Sequence, residues 1–410
     1  AAADIAWQEY FVDARLKRLI ELALANNRDL RIAALNVERT QAQYQIQRAA
    51  QWPAVNGVFA GQRQAATKDV FTLGVGITSF EFDFFGRIAN LKDAALAQYL
   101  STDESRKTVQ ISLVAAVANT YLSLVADDAL FAITQETLVT REQSYKLAKL
   151  RFDHGVTSEL DLRQAQGLVE AARASLAQSQ RQRALDENAL VLLIGQPLPA
   201  DLPRGEPFAV QAKLLADVPA GLPSELLNKR PDIRAAEQLL IAANANIGAA
   251  RAAFYPRISL STSLGKVSGD LSHLLGGGTG WTFAPQLVMP LFNAGANEAN
   301  LQATKLARDI AVAQYEKAIQ TAFREVADAL ASRATLMEQY RATLAQVEAA
   351  QATYKLSELR YNNGVSSYLD LLDAQRLLFT VQTAALQLHL AQLQNQVTLY
   401  KALGGGWTER

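Results

Sequence analysis

The sequence predicts a mainly α-helical fold that carries short β-hairpins and is built twice from one repeated unit. Three observations lead there. The segment Tyr145-Lys146-Leu147 to Ala165-Gln166 recurs 209 residues later as Tyr354-Lys355-Leu356 to Ala374-Gln375, with 13 of 22 aligned positions identical. No proline or glycine occurs from Arg87 to Phe152 or from Ala296 to Tyr361, so each stretch predicts one unbroken helix, ~99 Å long at 1.5 Å per residue. After Pro53 and again after Pro256, the apolar residues switch to alternating with small or polar ones, the period of a strand.

The elements follow in order. An N-terminal segment (1–14) leads into a helix (15–52) with a break near Asn26-Asn27, stopped by Pro53. A β-hairpin (53–86) comes next, with Val55 to Gly61 and Phe71 to Ile77 as its strands. The long helix, its turn and a returning helix fill 87–195, and a Pro-rich connector (196–223) holds six of the eleven prolines, which makes it irregular chain. The second repeat has a helix (224–255), a hairpin (256–293), and a long helix, turn and returning helix (294–403), before a C-terminal segment (404–410). Asp29 aligns with Asp232 and Trp52-Pro53 with Tyr255-Pro256, and about six extra residues fall near Gly276-Gly277-Gly278, in the second hairpin loop.

Helices of this length need coiled-coil partners. The second hairpin sets Ser259, Ser261, Ser263 and Gly265 on one face and Ile258, Leu260, Leu264, Trp281 and Phe283 on the other. Apolar outside, polar inside and aromatic at the rim is the pattern of a transmembrane β-barrel. Four strands cannot close a barrel, and lipid does not tolerate open edges. Two chains would make an eight-stranded barrel filled by its own side chains, whereas three make twelve strands with room for a bore. The plainer alternative is an antiparallel coiled-coil scaffold with soluble hairpins.

Composition removes other classes. Forty basic residues balance forty acidic ones, leaving no excess charge to bind nucleic acid. Cys is absent, which excludes disulfides and thiolate metal sites. The most apolar run, Ile111 to Ala126, is interrupted by Ser112, Asn119, Thr120 and Ser123 and predicts no transmembrane helix. His154, His273 and His389 lie in no metal-ligand spacing, and no Gly-rich loop carries a P-loop Lys. No catalytic constellation and no cofactor are expected, so the protein is not read as an enzyme. The chain opens on Ala1-Ala2-Ala3-Asp4, without a signal peptide, as a processed or trimmed form would.

The two helix-turn-helix tips are the candidate sites. Asp153-His154-Gly155 and Asn362-Asn363-Gly364 predict left-handed helix ends, with Ser158 or Ser366 capping the returning helices. The tips differ just past the turn. Asp370 matches Asp161, but Asp373 stands where the first copy has Gln164, so only the second tip sets two carboxylates three residues apart on one helical face. In a trimer these would stack as two acidic rings, a cation-attracting constriction. The plainer reading is two solvated carboxylates near a helix N-terminus.

Several stretches resemble the TolC-like outer-membrane factors of tripartite efflux and secretion systems, most closely the OprM/OprJ class of multidrug efflux channels. They are Leu24 to Arg31, Leu222 to Ile233, the paired tips and Leu403-Gly404-Gly405-Gly406-Trp407. The likeness covers essentially the whole chain. It implies a homotrimer in the outer membrane of a Gram-negative bacterium, a twelve-stranded β-barrel in lipid continued by a twelve-helix periplasmic α-barrel. The connector and chain ends would belt its middle. The implied partners are a periplasmic adaptor and an inner-membrane pump of the RND type. Many relatives carry a lipidated N-terminal Cys, which has no counterpart in this sequence. By the same resemblance, Leu369, Asp370, Asp373 and Tyr361 would form the gate. Arg151, Gly155, Val156, Ser158 and Leu160, with Arg360, Gly364, Val365 and Ser367, would receive the adaptor. A protein-secretion duct and a heavy-metal efflux duct share this architecture; Met289 and Met337 are the only methionines, so no methionine-lined metal route is evident.

Overall fold

The computed structural model describes residues 4–63, 69–216 and 227–407. Pro219, Pro223 and the first part of the Leu222 to Ile233 stretch lie outside the described residues. Two compact units emerge, one made of 1–32, 106–231 and 320–410, the other of 33–105 and 232–319.

The helices are α1 (Trp7–Tyr10), α2 (Ala14–Asn26), α3 (Arg28–Ala49), α4 (Arg87–Asp153), α5 (Glu159–Ile194), α6 (Pro231–Ala252), α7 (Ala296–Asn362) and α8 (Tyr368–Ala402). The strands are β1 (Val55–Gln62), β2 (Val70–Phe82), β3 (Arg257–Ser268) and β4 (Gly278–Val288). The stretch read as one helix with a break near Asn26-Asn27 is two helices, because Asn27 leaves the helical conformation and then caps the second, its Oδ1 accepting from Leu30 N at 2.9 Å. Its amide Nδ2 also donates to Leu193 O on α5 at 2.9 Å. The helix read as 224–255 runs Pro231–Ala252, with proline at its first position, where a missing N–H costs nothing. The connector is not wholly irregular, since Phe208–Leu214 forms a 3-10 helix.

In the second unit the four strands form one antiparallel sheet in the order β1-β2-β3-β4. The central pair, β2 with β3, joins the two repeats, with Gly74 opposite Gly265. A Cβ on Gly74 would stand 2.5 Å from the Gly265 Cα, so this crossing needs two bare backbones. Between Ile77 and Phe80 the β2 register shifts against β3, a bulge of the kind that bends a strand. The register puts Leu264 opposite Trp281, Thr262 opposite Phe283 and Ile258 opposite Leu287. All of these share one face, on which Trp281, Phe283 and Leu287 are largely exposed. Ser259, Ser261 and Ser263 lie on the other face.

The first unit has its own core. Leu16, Leu19 and Ile20 of α2 pack with Val114, Val117, Tyr121 and Leu122 of α4, and with Leu393, Val397 and Tyr400 of α8. One window of α4 is long and apolar enough to cross a membrane, but by length and composition only, and most of it is buried. Its apolar side chains instead fill this core. The chain ends and the connector are tied into it. Asp13 caps α2, accepting from Arg15 N at 2.8 Å, and also accepts from the Tyr121 hydroxyl at 2.8 Å and the Gln211 amide at 3.1 Å. The rings of Tyr10 and Tyr400 stack at 3.9 Å, while the Tyr400 hydroxyl donates to Ile5 O at 2.6 Å. Phe11 bridges to Leu215 of the connector.

Candidate functional site: the paired helix tips

The tips are built alike by their sequences. At the end of α4, Gly155 takes φ +71°; its N–H donates to Phe152 O and the Val156 N–H to Arg151 O. Gly364, at φ +74°, ends α7 with the same pair of bonds, to Tyr361 O and Arg360 O. This bond pattern closes a helix with a left-handed glycine. The returning helices open on reciprocal caps: Ser158 with Asp161, and Ser367 with Asp370. Ser366, named from the sequence as a cap, is not one. Asp370 lies three residues beyond Ser367, the spacing at which the two side chains reach each other's backbone N–H. The Ser366 hydroxyl is buried without a hydrogen-bond partner among the described residues.

The matched aspartates are therefore held by their own helices. The Thr157 hydroxyl donates to Asp161 at 2.7 Å, and this bond, with further help from Ser158, holds the carboxyl below its usual range. Asp370 accepts from Ser367 N at 3.2 Å. Asp373 is exposed and pairs with Arg376 at 3.4 Å, a solvated contact of small energetic weight. Leu369, Asp370 and Asp373 lie on the exposed face of α8, whereas Tyr368, Leu371 and Leu372 on its other face are buried.

Tyr361 is buried. It packs with Tyr368, ring centroids 5.3 Å apart, among Ala148, Ala165, Leu168, Leu371 and Leu372. The Arg151 guanidinium lies over its ring at 4.6 Å. The structure thus brings Arg151 and Tyr361 of different tips together. It leaves Val156, Leu160, Val365 and Leu369 as exposed apolar side chains, with Gly155, Ser158, Arg360, Gly364 and Ser367 also at the surface. Tyr368 was not singled out from the sequence. A signal existed, because the second copy has Tyr361 and Tyr368 where the first has Phe152 and Glu159. Burial pushes the Tyr368 hydroxyl up to about 12. Among the described residues no group of three or more His, Asp or Glu is placed to hold a metal.

The chain thus combines two 67-residue helices closed by capped turns with a four-stranded sheet whose apolar face is exposed. The model of the outer membrane efflux protein family matches residues 19–196 and 222–405, and the chain belongs to that family. TtgC of Pseudomonas putida, a probable efflux pump outer membrane protein, is 49% identical over 422 residues, covering 100% of this chain and 87% of TtgC. The outer membrane protein OprJ of Pseudomonas aeruginosa is 44% identical, covering 100% of this chain and 88% of OprJ. The open-state crystal structure of the Neisseria gonorrhoeae MtrE outer membrane channel is similar at a TM-score of 0.91 and 40% identity, covering 99% of this chain and 92% of that one. The protein is an outer-membrane efflux channel component of the OprM/OprJ class.

Proposed function

We propose that three copies assemble into a passive duct, with twelve strands in the outer membrane and twelve helices below it. The observation that carries this reading is the open sheet, whose outer strands are β1 and β4 and whose apolar face is exposed. Sheet edges in lipid must be paired, and β1 of one copy can pair with β4 of the next. The long helices support the same reading. Of the 22 residues of α3 only Thr40 is buried, while Leu35 and Ile46 are exposed, an apolar surface that neighbouring copies would cover.

The cargo is drugs or other small toxic compounds, delivered by a periplasmic adaptor and an inner-membrane pump of the RND type. Relatives named as toluene, solvent and antibiotic efflux proteins support that substrate range. At the periplasmic end, Leu369, Asp370 and Asp373 constrict the entrance and Tyr361 ties the tip closed. The apolar side chains Val156, Leu160 and Val365, with Arg151, Gly155, Ser158, Arg360, Gly364 and Ser367, receive the adaptor.

The test is planar-bilayer conductance of the purified protein beside the doubly neutralised Asp370→Asn/Asp373→Asn variant. Asn keeps a side-chain acceptor near Ser367, so the cap is disturbed less than by Ala. A small wild-type conductance that rises in the variant supports pore and gate together. Equal conductances keep the pore and remove the gate from these residues. Well-folded protein that never inserts leaves the coiled-coil scaffold as the better reading.

A further inference from the structure

Away from the tip surface, α4, α7 and α8 line a partly open cavity of about 100 Å³ with room for a few water-sized groups. Its lining includes Ile133, Thr137 and Arg141 of α4, Tyr354 of α7, and Gln375 and Phe379 of α8. Arg141 is only 6% exposed. Its Nη1 donates to Leu168 O at 3.2 Å, and its guanidinium lies over the Phe379 ring at 5.4 Å. Its Nε–H is buried without a hydrogen-bond partner, and no carboxylate forms an ion pair with it among the described residues. The other charge acting on it is Arg376, of the same sign; burial first, then Arg376, lowers its pKa.

A buried guanidinium keeps its charge and all five donors, and leaving that charge uncompensated is costly. Gln375, 7% exposed, has its Oε1 buried and unpartnered on the same cavity, its amide nitrogen donating to Ser144 Oγ at 3.3 Å. Exchanging the two ends of that amide would turn an N–H₂ toward the cavity while its oxygen accepts from Ser144. The Thr137 and Thr140 hydroxyls are spent on Ile133 O at 2.8 Å and Glu136 O at 3.0 Å. Glu136 lines the cavity mouth but is exposed.

We propose that this cavity is an anion seat: a small monovalent anion, chloride in size and charge, sits against the Arg141 guanidinium and pins α4 to α8. Volume, sign of charge and the unsatisfied donor all agree on that occupant. Arg141 precedes Arg151 by ten residues, about 15 Å along the helix. The bound anion therefore stiffens the helix pair just behind the tip, a role separate from the proposed gate.

The test is crystallographic, on the whole chain in its assembled form, purified without chloride and soaked in sodium bromide. The expected result is an anomalous bromide peak within hydrogen-bond distance of Arg141, lost in Arg141→Gln and kept in Arg141→Lys, which retains the charge. Ordered water alone in the wild-type cavity overturns the proposal. So does a carboxylate from a neighbouring copy seated on Arg141, or a bromide peak that persists in Arg141→Gln. Should Arg141→Gln fail to fold, the wild-type and Arg141→Lys maps decide by themselves.

Discussion

Arg151, near the end of α4, lies over the buried ring of Tyr361, near the end of α7, 4.6 Å from its centroid. This cation-π contact joins the tips of the two repeats within one chain, and each residue stands three or four positions before the glycine that ends its helix. It involves one of the positions at which the repeats differ, Tyr361 in the second copy against Phe152 in the first.

A cation over a tyrosine at a partly exposed site contributes about 0.5–1 kcal/mol, enough to bias a tip but not to hold the fold. Arg151→Gln is expected to raise the conductance of the isolated channel modestly while leaving its thermal stability nearly unchanged. Tyr361→Phe, which keeps the ring, is expected to behave as wild type. Wild-type conductance in Arg151→Gln would remove this contact from any role in closing the tip.

The caps separate two neighbouring serines. Ser367→Ala removes an N-cap worth about 1 kcal/mol, roughly fivefold in local opening. Hydrogen exchange at the first amides of α8, Tyr368 to Leu372, is therefore expected to speed up by about that factor. Ser366→Ala is expected to leave those rates unchanged, since its hydroxyl has no partner there.

Asp127 of α4 lies beside Asp186 of α5, a carboxylate of like charge. Burial first, then Asp186 and the charge of Asp128, push the Asp127 carboxyl up to about 7, with Arg183 acting in the opposite direction. Arg183 itself pairs with Asp128 at 2.6 Å and with Glu187 at 3.1 Å. A carboxyl raised on folding binds its proton more tightly in the folded chain. Its destabilising effect is thus full above pH 7 and is relieved as pH falls from about 7 toward the ordinary carboxylate range. Asp127→Asn is expected to raise the unfolding midpoint at pH 8 and to flatten its pH dependence between pH 5 and 7. A midpoint at pH 8 equal to or below wild type would show that the pair does not carry this strain.

The strand crossing predicts a contrast between two glycines. A side chain at Gly74 would press on the backbone of β3, whereas a Cβ at Gly57 meets nothing within 4 Å. Gly74→Val is expected to abolish accumulation in the outer membrane, and Gly57→Ala to leave it near wild type. Membrane fractionation with quantitative blotting distinguishes the two.

Much of the fold was legible because its signals are local. A helix 67 residues long announces itself by the lack of proline and glycine, and the strands by alternation. The capping spacings of Ser158 with Asp161 and Ser367 with Asp370 are three residues each, though the sequence reading put the second cap at Ser366. The break at Asn27 could be placed from two consecutive asparagines, but not its cause, which includes a bond to Leu193 on another helix. Among the gate candidates, the sequence alone showed that Asp373 has no counterpart in the first repeat. It did not show that Asp370 is already engaged as a cap.

By itself, then, the sequence determined the duplication, the order of helices and strands, the two-faced hairpins, and through its tips and Leu24 to Arg31 the family. Those features are periodic or contiguous, so backbone propensity and side-chain spacing write them into neighbouring residues. Only the tertiary structure decided that Tyr361 is buried beneath Arg151 and that Asp127 meets Asp186. It also decided that Arg141 is buried without an ion-paired carboxylate among the described residues, and that Asp13 gathers Tyr121 and Gln211 from distant parts of the chain. Each of these depends on which faces of separate helices meet. The burial that shifts a carboxyl or strands a guanidinium exists only after they have packed.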